Sequence, residues 1–289
     1  MKILLVNNIS LSSDKFNEQN KLLMQSAKEI NIDLEIMNNA RLTSELAKNE
    51  NIVKKFKAIL FYDKDIFLCK KLENLGCKVL NCSDCIKNCD NKALTYQILE
   101  NHNIPIPKTY IVPFLFYYKK KYLNEFVETI ISKLSLPLVA KKWFGSEGQQ
   151  VYLLHTKNEI FKLIKKEKGK ELLFQQYYSE CHGSDIRINV VGNEVVACMH
   201  RKSSTNDFRS NLSNGGFAKT YSPSDKEIEI AKLSAKALNC NFCGVDILQT
   251  KNGPVVCEVN SNAHLLNIYK VTTINVAKKI LEYIVNHIN

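Results

Sequence analysis

Several things are missing from this 289-residue chain. No stretch reaches the ~18 to 20 consecutive apolar residues of a membrane-spanning helix, so neither a helical membrane protein nor a membrane partner is expected. The opening run Lys2-Ile-Leu-Leu-Val is broken by Asn7 and Asn8 and reads as a strand, too short for a secretory leader. The expected location is the cytoplasm. No GxGxxG follows that strand, so dinucleotide binding there is unsupported. Internal repeats and low-complexity linkers are absent. Lys and Arg number 40 against 29 Asp and Glu, a net charge of +11. The lysines are nevertheless spread along the chain, with local clusters at Lys119 to Lys121 and Lys165 to Lys170. Aromatic and basic residues do not interleave as on a nucleic-acid surface, so nucleic acid is not the expected partner. An anionic substrate or nucleotide accounts for part of the charge.

The ten cysteines, without a leader, point to reduced thiols. Cys82, Cys85 and Cys89 have a two-then-three spacing that resembles metal-ligand spacing, with Cys77 as a fourth candidate, and Cys240 with Cys243 forms a CxxC. No paired CxxC lies at a zinc-finger distance. The cysteines are therefore read as small core residues in preference to a zinc or iron–sulfur site.

An apolar content of 45% is ample for a core, and the length allows two or three compact units. Strands expected at 2–8, 32–37, 57–62 and 77–81 alternate with helices at 16–30 and 64–75, the latter stopped by Gly76. This is the pattern of a small parallel α/β domain, residues 1–84. A second unit, residues 85–168, carries helices at 91–102, 121–134 and 158–167 and strands at 136–142 and 150–155. The third, residues 169–289, has strands near 171–177, 185–191 and 194–200. A helix follows, opened by Ser224 with Glu227 in capping-box register, with Ile228, Ala231, Ala235 and Leu238 on one face. A last helix has Val276, Ile280 and Ile284 on one stripe.

The chemistry concentrates near the C-terminus. Gly244-Val245-Asp246-Ile247-Leu248 and Glu258-Val259-Asn260 flank an Asn252-Gly253 turn. Glu258 and Asn260, two apart on a strand, leave the same face. If Lys251, Asn252 and Gly253 form a three-residue loop with Gly253 left-handed, Asp246 lies opposite Glu258; a two-residue Asn252-Gly253 loop would turn Asp246 away. Two carboxylates and a carboxamide form an oxygen-only donor set suited to Mg²⁺ or Mn²⁺, with coordination positions left for phosphate oxygens. Their apolar flanks argue against merely solvated acids.

Gly145-Ser146-Glu147-Gly148 joins two strands and reads as a hairpin lid whose N–H groups can approach phosphates. Lys141, at the end of the preceding strand, supplies a fixed positive charge, and Lys92 stands at a helix start beside the expected cleft. Asp185 and Arg187 share a strand face, suited to ribose hydroxyls and to phosphate or carboxylate, with a cross-strand salt bridge as the alternative. Arg209 offers a second guanidinium on a loop.

Together these residues resemble the ATP-grasp carboxylate–amine ligases, most closely the RimK branch, which is named for an enzyme that adds glutamate to a ribosomal protein. The similarity runs from about Asn81 to Ile284, and is most specific over Gly183 to Val196, Asp207 to Gly216 and Gly244 to Asn260. The resemblance implies an α/β (α+β) ATP-grasp fold, with an N-terminal parallel α/β domain and two α+β subdomains enclosing the nucleotide. It implies that Lys92 and Lys141 bind ATP phosphates under a loop containing Gly145, Ser146 and Gly148, and that Gln176 and Tyr177 form the adenine hinge with Asp185 on the ribose. Arg209, Ser210 and Asn211 would contact nucleotide or acyl phosphate, Arg187 and Arg209 would act in catalysis, and Asp246, Glu258 and Asn260 would hold two Mg²⁺ or Mn²⁺. Two departures stand out: Gln176 replaces a usual Glu, and Ser261-Asn262-Ala263-His264 replaces a Ser-Pro-Gly turn. The implied reaction phosphorylates a carboxylate and passes the acyl phosphate to an amine. Glutamate or another amino acid would be joined to a peptide, protein or coenzyme. A nucleotide-binding regulatory protein without turnover is the alternative. The acceptor and any homo-oligomer are not fixed by sequence.

Overall fold

Strand β1 (Lys2–Asn7) is buried on both faces. Leu4 and Val6 enter one apolar cluster and Ile3 and Leu5 another, which is why its sequence is a continuous apolar run. The computed structural model describes residues 1–11, 13–168, 170–210 and 215–288. After β1 come α1 (Asp14–Glu29), β2 (Asp33–Asn38), α2 (Asn39–Lys48), β3 (Ala58–Phe61), α3 (Ile66–Asn74) and β4 (Val79–Leu80). The strands form a parallel sheet in the order β2-β1-β3-β4. Helix α2 has no counterpart in the expected elements. Only Leu42 and Leu46 are buried on it, and Asn38 caps it by accepting from the Arg41 N–H.

Helices α4 (Ser83–Asp90) and α5 (Lys92–Asn101) lead out of this sheet. The cysteine segment is helical and carries Cys85 and Cys89 one turn apart. Asn91 opens α5 by accepting from the N–H groups of Ala93 and Leu94, which sets Lys92 on the first helical turn.

The middle unit contains β5 (Thr109–Ile111), α6 (Lys120–Leu134), β6 (Leu138–Lys142), β7 (Val151–Leu154), α7 (Lys157–Lys166) and β8 (Leu172–Gln176). Its sheet is antiparallel, in the order β5-β8-β6-β7. Leu123, Val127 and Ile130 of α6 and Ile160 and Ile164 of α7 pack on it. A boundary between residues 168 and 169 therefore falls one strand early, because β8 hydrogen-bonds between β5 and β6. Its apolar run is equally compatible with either sheet, and only the pairing assigns it.

The third sheet, in the order β11-β10-β9-β12-β13, contains β9 (Ser184–Val191), β10 (Glu194–Lys202), β11 (Phe217–Thr220), β12 (Phe242–Thr250) and β13 (Gly253–Asn260). Helix α8 (Asp225–Ala237) opens on the expected Ser224–Glu227 capping box. It buries Ile230 fully where Ile228 was expected to lead the face. Helices α9 (Leu265–Thr272) and α10 (Val276–His287) return to the first sheet, where Ile280 and Ile284 join Leu23 of α1. Asn81, wholly buried, fastens the first unit to the third. Its Nδ2 donates to the carbonyls of Phe242 (2.8 Å) and Ser261 (2.9 Å), and its Oδ1 accepts from the N–H groups of Asn241 and Phe242. No described helix is long and apolar enough to cross a membrane.

Candidate active site

The β12–β13 hairpin turns through two residues, Lys251 and Asn252, with Thr250 paired to Gly253; the expected three-residue loop is not formed. Carried unbroken, that register would set Asp246 opposite Cys257. Cys257 instead lies outside the ladder as a bulge, and beyond it Asp246 pairs with Glu258. The expected pairing is thus reached by a different route: the extra residue sits in the strand and not in the turn. The bulge also turns the Cys257 carbonyl to a buried cluster, where it accepts from Tyr96 Oη and, at 3.4 Å, from Lys141 Nζ. Lys141 Nζ in turn donates to Tyr96 Oη at 2.8 Å.

Asp246 stands opposite Arg187, and Asp185 opposite Arg201. These four make an alternating chain of charge across three strands. Arg187 Nη2 lies 2.7 Å from Asp246 Oδ2, Arg201 Nη2 lies 2.9 Å from the same oxygen, and Arg201 Nε lies 2.7 Å from Asp185 Oδ1. Burial pushes the Asp246 carboxyl up, but the two guanidinium groups outweigh it and hold the group below the usual carboxylate range. Gly244 lets the Arg187 stem pass, since a Cβ there would come 2.9 Å from Arg187 Cδ and 2.7 Å from Ala263 Cβ. Asp185 and Arg187 do share a face, and the cross-strand salt bridges they form are with Arg201 and Asp246, not with each other.

Glu258 Oε1 meets Lys92 Nζ at 3.1 Å, and Lys92 also donates to the Gly145 carbonyl at 2.9 Å. Asn260 Nδ2 donates to Asp246 Oδ2 at 3.5 Å. Residues 145–148 join β6 to β7 as expected, and cations hold them from three sides. Besides Lys92, Arg209 Nη1 donates to the Gly148 carbonyl and Lys15 Nζ to Glu147, each at 2.7 Å. Arg209 is itself braced by Asp207 (Nη2 to Oδ2, 2.7 Å). Two connected spaces open beneath this loop. A narrow one, about 130 Å³, runs between the second and third sheets and is lined by Lys141, Gln176, Tyr177, Asp185, Arg209, Ser210 and Leu248. A wider one, about 470 Å³, lies against the first unit and is lined by Lys15, Asp63, Arg187, Asn260, Asn262 and His264. Glu258 and Asp246 line both.

The sequence profile of the RimK-like ATP-grasp domain matches residues 89–284. The chain belongs to the RimK-like ATP-grasp family. A probable alpha-L-glutamate ligase from Maridesulfovibrio salexigens is 37% identical over 217 residues, covering 74% of this chain and 69% of the relative. Human beta-citrylglutamate synthase B is 33% identical over 225 residues, 76% of this chain but 56% of that protein. Among solved structures, the D-alanine–D-alanine ligase of Bacillus anthracis complexed with ATP superposes with a TM-score of 0.75 over 100% of this chain and 97% of that one. At 16% identity that likeness shows the ATP-grasp fold alone. As a RimK-like ATP-grasp ligase, the protein forms C–N bonds in an ATP-dependent reaction, and the family uses divalent metal ions.

The donor set of this chain fits such an ion. Among the described residues no donor meets Asn260 Oδ1, and Glu258 has one oxygen beyond the one that meets Lys92. Asp246 is more heavily engaged, because both its oxygens already accept from guanidinium groups. Of the nucleotide-side candidates, Lys92, Lys141, Gly145, Ser146, Gly148, Gln176, Tyr177, Asp185, Arg209 and Ser210 all line the narrow space. Arg187 lines the wider one. Asn211 lies outside the described residues.

Sequence reading missed Arg201, Tyr96 and Lys15. Arg201 had a usable signal: it shares strand parity with Ala197 and Met199, so a guanidinium there must find buried partners. Tyr96 had none, since an aromatic on a helix is ordinarily core. Lys15 reaches the loop only through the packing of the first unit.

Proposed function

We propose that this ligase joins glutamate, or another amino acid, to a carboxylate-bearing peptide, protein or coenzyme through an acyl phosphate, in the cytoplasm. One observation carries the reading: the hairpin brings Asp246, Glu258 and Asn260 together at the junction of the narrow and wide spaces, beneath a loop gripped by Lys92 and Arg209. In this reading ATP occupies the narrow space. Gln176 and Tyr177 face the adenine, Asp185 the ribose, and Lys92, Lys141, Ser210 and the loop N–H groups the phosphates. Asp246, Glu258 and Asn260 would hold two Mg²⁺ or Mn²⁺ ions, which neutralise phosphate charge. Lys92, Arg187 and Arg209 add fixed positive charge where the phosphoryl group moves to the carboxylate. The loop from Gly145 to Gly148 keeps water from the acyl phosphate until the amine attacks. Residues 1–84 serve as the wall of the substrate chamber.

The wider space supports an amino-acid substrate. Asp63 Oδ2 and Asn262 Oδ1 are buried there with no hydrogen-bond partner among the described residues, an acceptor pair for an ammonium or amide. Lys15, Lys64 and Arg187 line the same space and suit carboxylates. The Ser261-Asn262-Ala263-His264 turn thus contributes its own polar groups where the family has a Ser-Pro-Gly turn.

The test is ADP release by the purified chain with Mg²⁺-ATP across a panel of amino acids and carboxylate acceptors, with product masses measured. Release that requires both an amine and an acceptor is expected, glutamate among the best amines. Tight ATP binding with no substrate-dependent ADP release across the panel would overturn it and favour a regulatory protein that does not turn over.

A further inference from the structure

Away from the catalytic cavities, two cysteine segments that are remote in sequence meet. Cys85 and Cys89 project from one face of α4, four residues apart. Cys240 comes from the turn before β12, and its Sγ lies 3.1 Å from that of Cys85 and 3.5 Å from that of Cys89. The three sulfur atoms fall within 4.8 Å of one another. Cys243, three residues on, is buried in the same apolar cluster, with its sulfur outside the 4.8 Å group that the other three form. The linear spacing hides this arrangement, since C-x₃-C and C-x₂-C stand some 150 residues apart.

We infer that Cys85, Cys89 and Cys240, with the Cys243 side chain turned in as the fourth ligand, form a closed thiolate site for one structural zinc ion. Tetrahedral zinc with Zn–S bonds of about 2.3 Å places its sulfurs roughly 3.8 Å apart, within a few tenths of an ångström to 0.7 Å of the two separations above. A helix and a strand entry supply the ligands, so the backbone that aims them is rigid. All four thiols are buried among apolar side chains, which leaves no position for substrate or water and distinguishes the site from the oxygen donors of the hairpin. Soft sulfur donors select zinc over Mg²⁺ or Mn²⁺. Binding displaces the thiol protons to solvent as the Zn–S bonds form, with no redox change. The consequence is positional. The ion would staple α4, which ends two residues before Lys92, to β12, which carries Asp246, and so fix the distance between a phosphate-side cation and the hairpin.

The full-length chain, stripped by a chelator under reducing conditions and held in excess Mg²⁺-ADP, is titrated with Zn²⁺ against a chromophoric zinc indicator and separately with Co²⁺. The expected result is one tightly bound Zn²⁺ per chain, a higher thermal midpoint on binding, and a Co²⁺ spectrum with tetrahedral bands and thiolate charge transfer. Cys89→Ser with Cys240→Ser should lose the ion, while Cys77→Ser keeps it. Should the double variant fail to fold, the Co²⁺ spectrum of the unaltered chain decides alone. No stoichiometric binding, or binding without a thiolate signature, overturns the site.

Discussion

Lys92 Nζ lies 3.1 Å from Glu258 Oε1 and 2.9 Å from the Gly145 carbonyl. One ammonium thus ties the carboxylate of the hairpin to the loop that covers it, and the placement makes Glu258 separable from the core. Glu258→Ala should lower ADP formation by more than about 100-fold, in line with the loss of a group that stabilises transition-state charge. Denaturant midpoints should move by no more than ~1 kcal/mol equivalent, since the side chain is 31% exposed. Normal turnover by the variant would contradict the assignment.

Arg201 carries the opposite expectation. It is 8% exposed and holds both Asp185 and Asp246, so Arg201→Ala leaves two buried carboxylates short of a partner. A loss of roughly 3 to 5 kcal/mol is expected in urea unfolding. Arg201→Lys should recover only part of it, because an ammonium cannot fork between the two acids. A change under 1 kcal/mol in the alanine variant would show that Arg187 alone suffices for Asp246.

Arg209 joins Asp207 to the Gly148 carbonyl. Arg209→Ala should both slow ADP formation, by about 100-fold or more, and free one end of the loop. Limited proteolysis should then cut between residues 144 and 150 faster than in the unaltered protein. Faster cutting with unchanged turnover would reduce Arg209 to a brace.

His264 gives a pH test. Burial, reinforced by the charge of Lys15, lowers its imidazole from the ordinary 6.5 to about 4. Between those values the unfolded chain binds the proton and the folded chain does not, so stability rises with pH across the window and is lost as pH falls from 6.5 toward 4, by up to about 1.4 kcal/mol per unit. His264→Gln should flatten this slope in thermal midpoints measured from pH 7 to 4.5. The contribution of Asp246 lies lower, because its carboxyl is held below 3.8. An unaltered slope would show that another group sets it.

Much of this architecture can be read from periodicity. β1 announces itself by an apolar run, α8 by a serine and a glutamate three apart, and the hairpin acids by alternation around a turn. Pairing is less visible. β8 could have joined either sheet, and the Cys257 bulge leaves no mark in composition because a bulged residue follows no side-chain pattern. Arg201 and the thiols of Cys85, Cys89 and Cys240 become partners only through contacts long in sequence, which no local window contains. Helix α2 escaped notice for a different reason: two leucines are too weak a stripe to stand out from loop.

The ladder is phased differently on the two sides of Cys257. A single extra residue at the Lys251–Asn252 tip can therefore be absorbed by straightening Cys257 back into line, leaving the acids opposed while the Lys141 anchor is given up. Alignment of the carboxylates and tethering of the lysine are thus independent properties of one strand, and length variation at the hairpin tip acts on only the second.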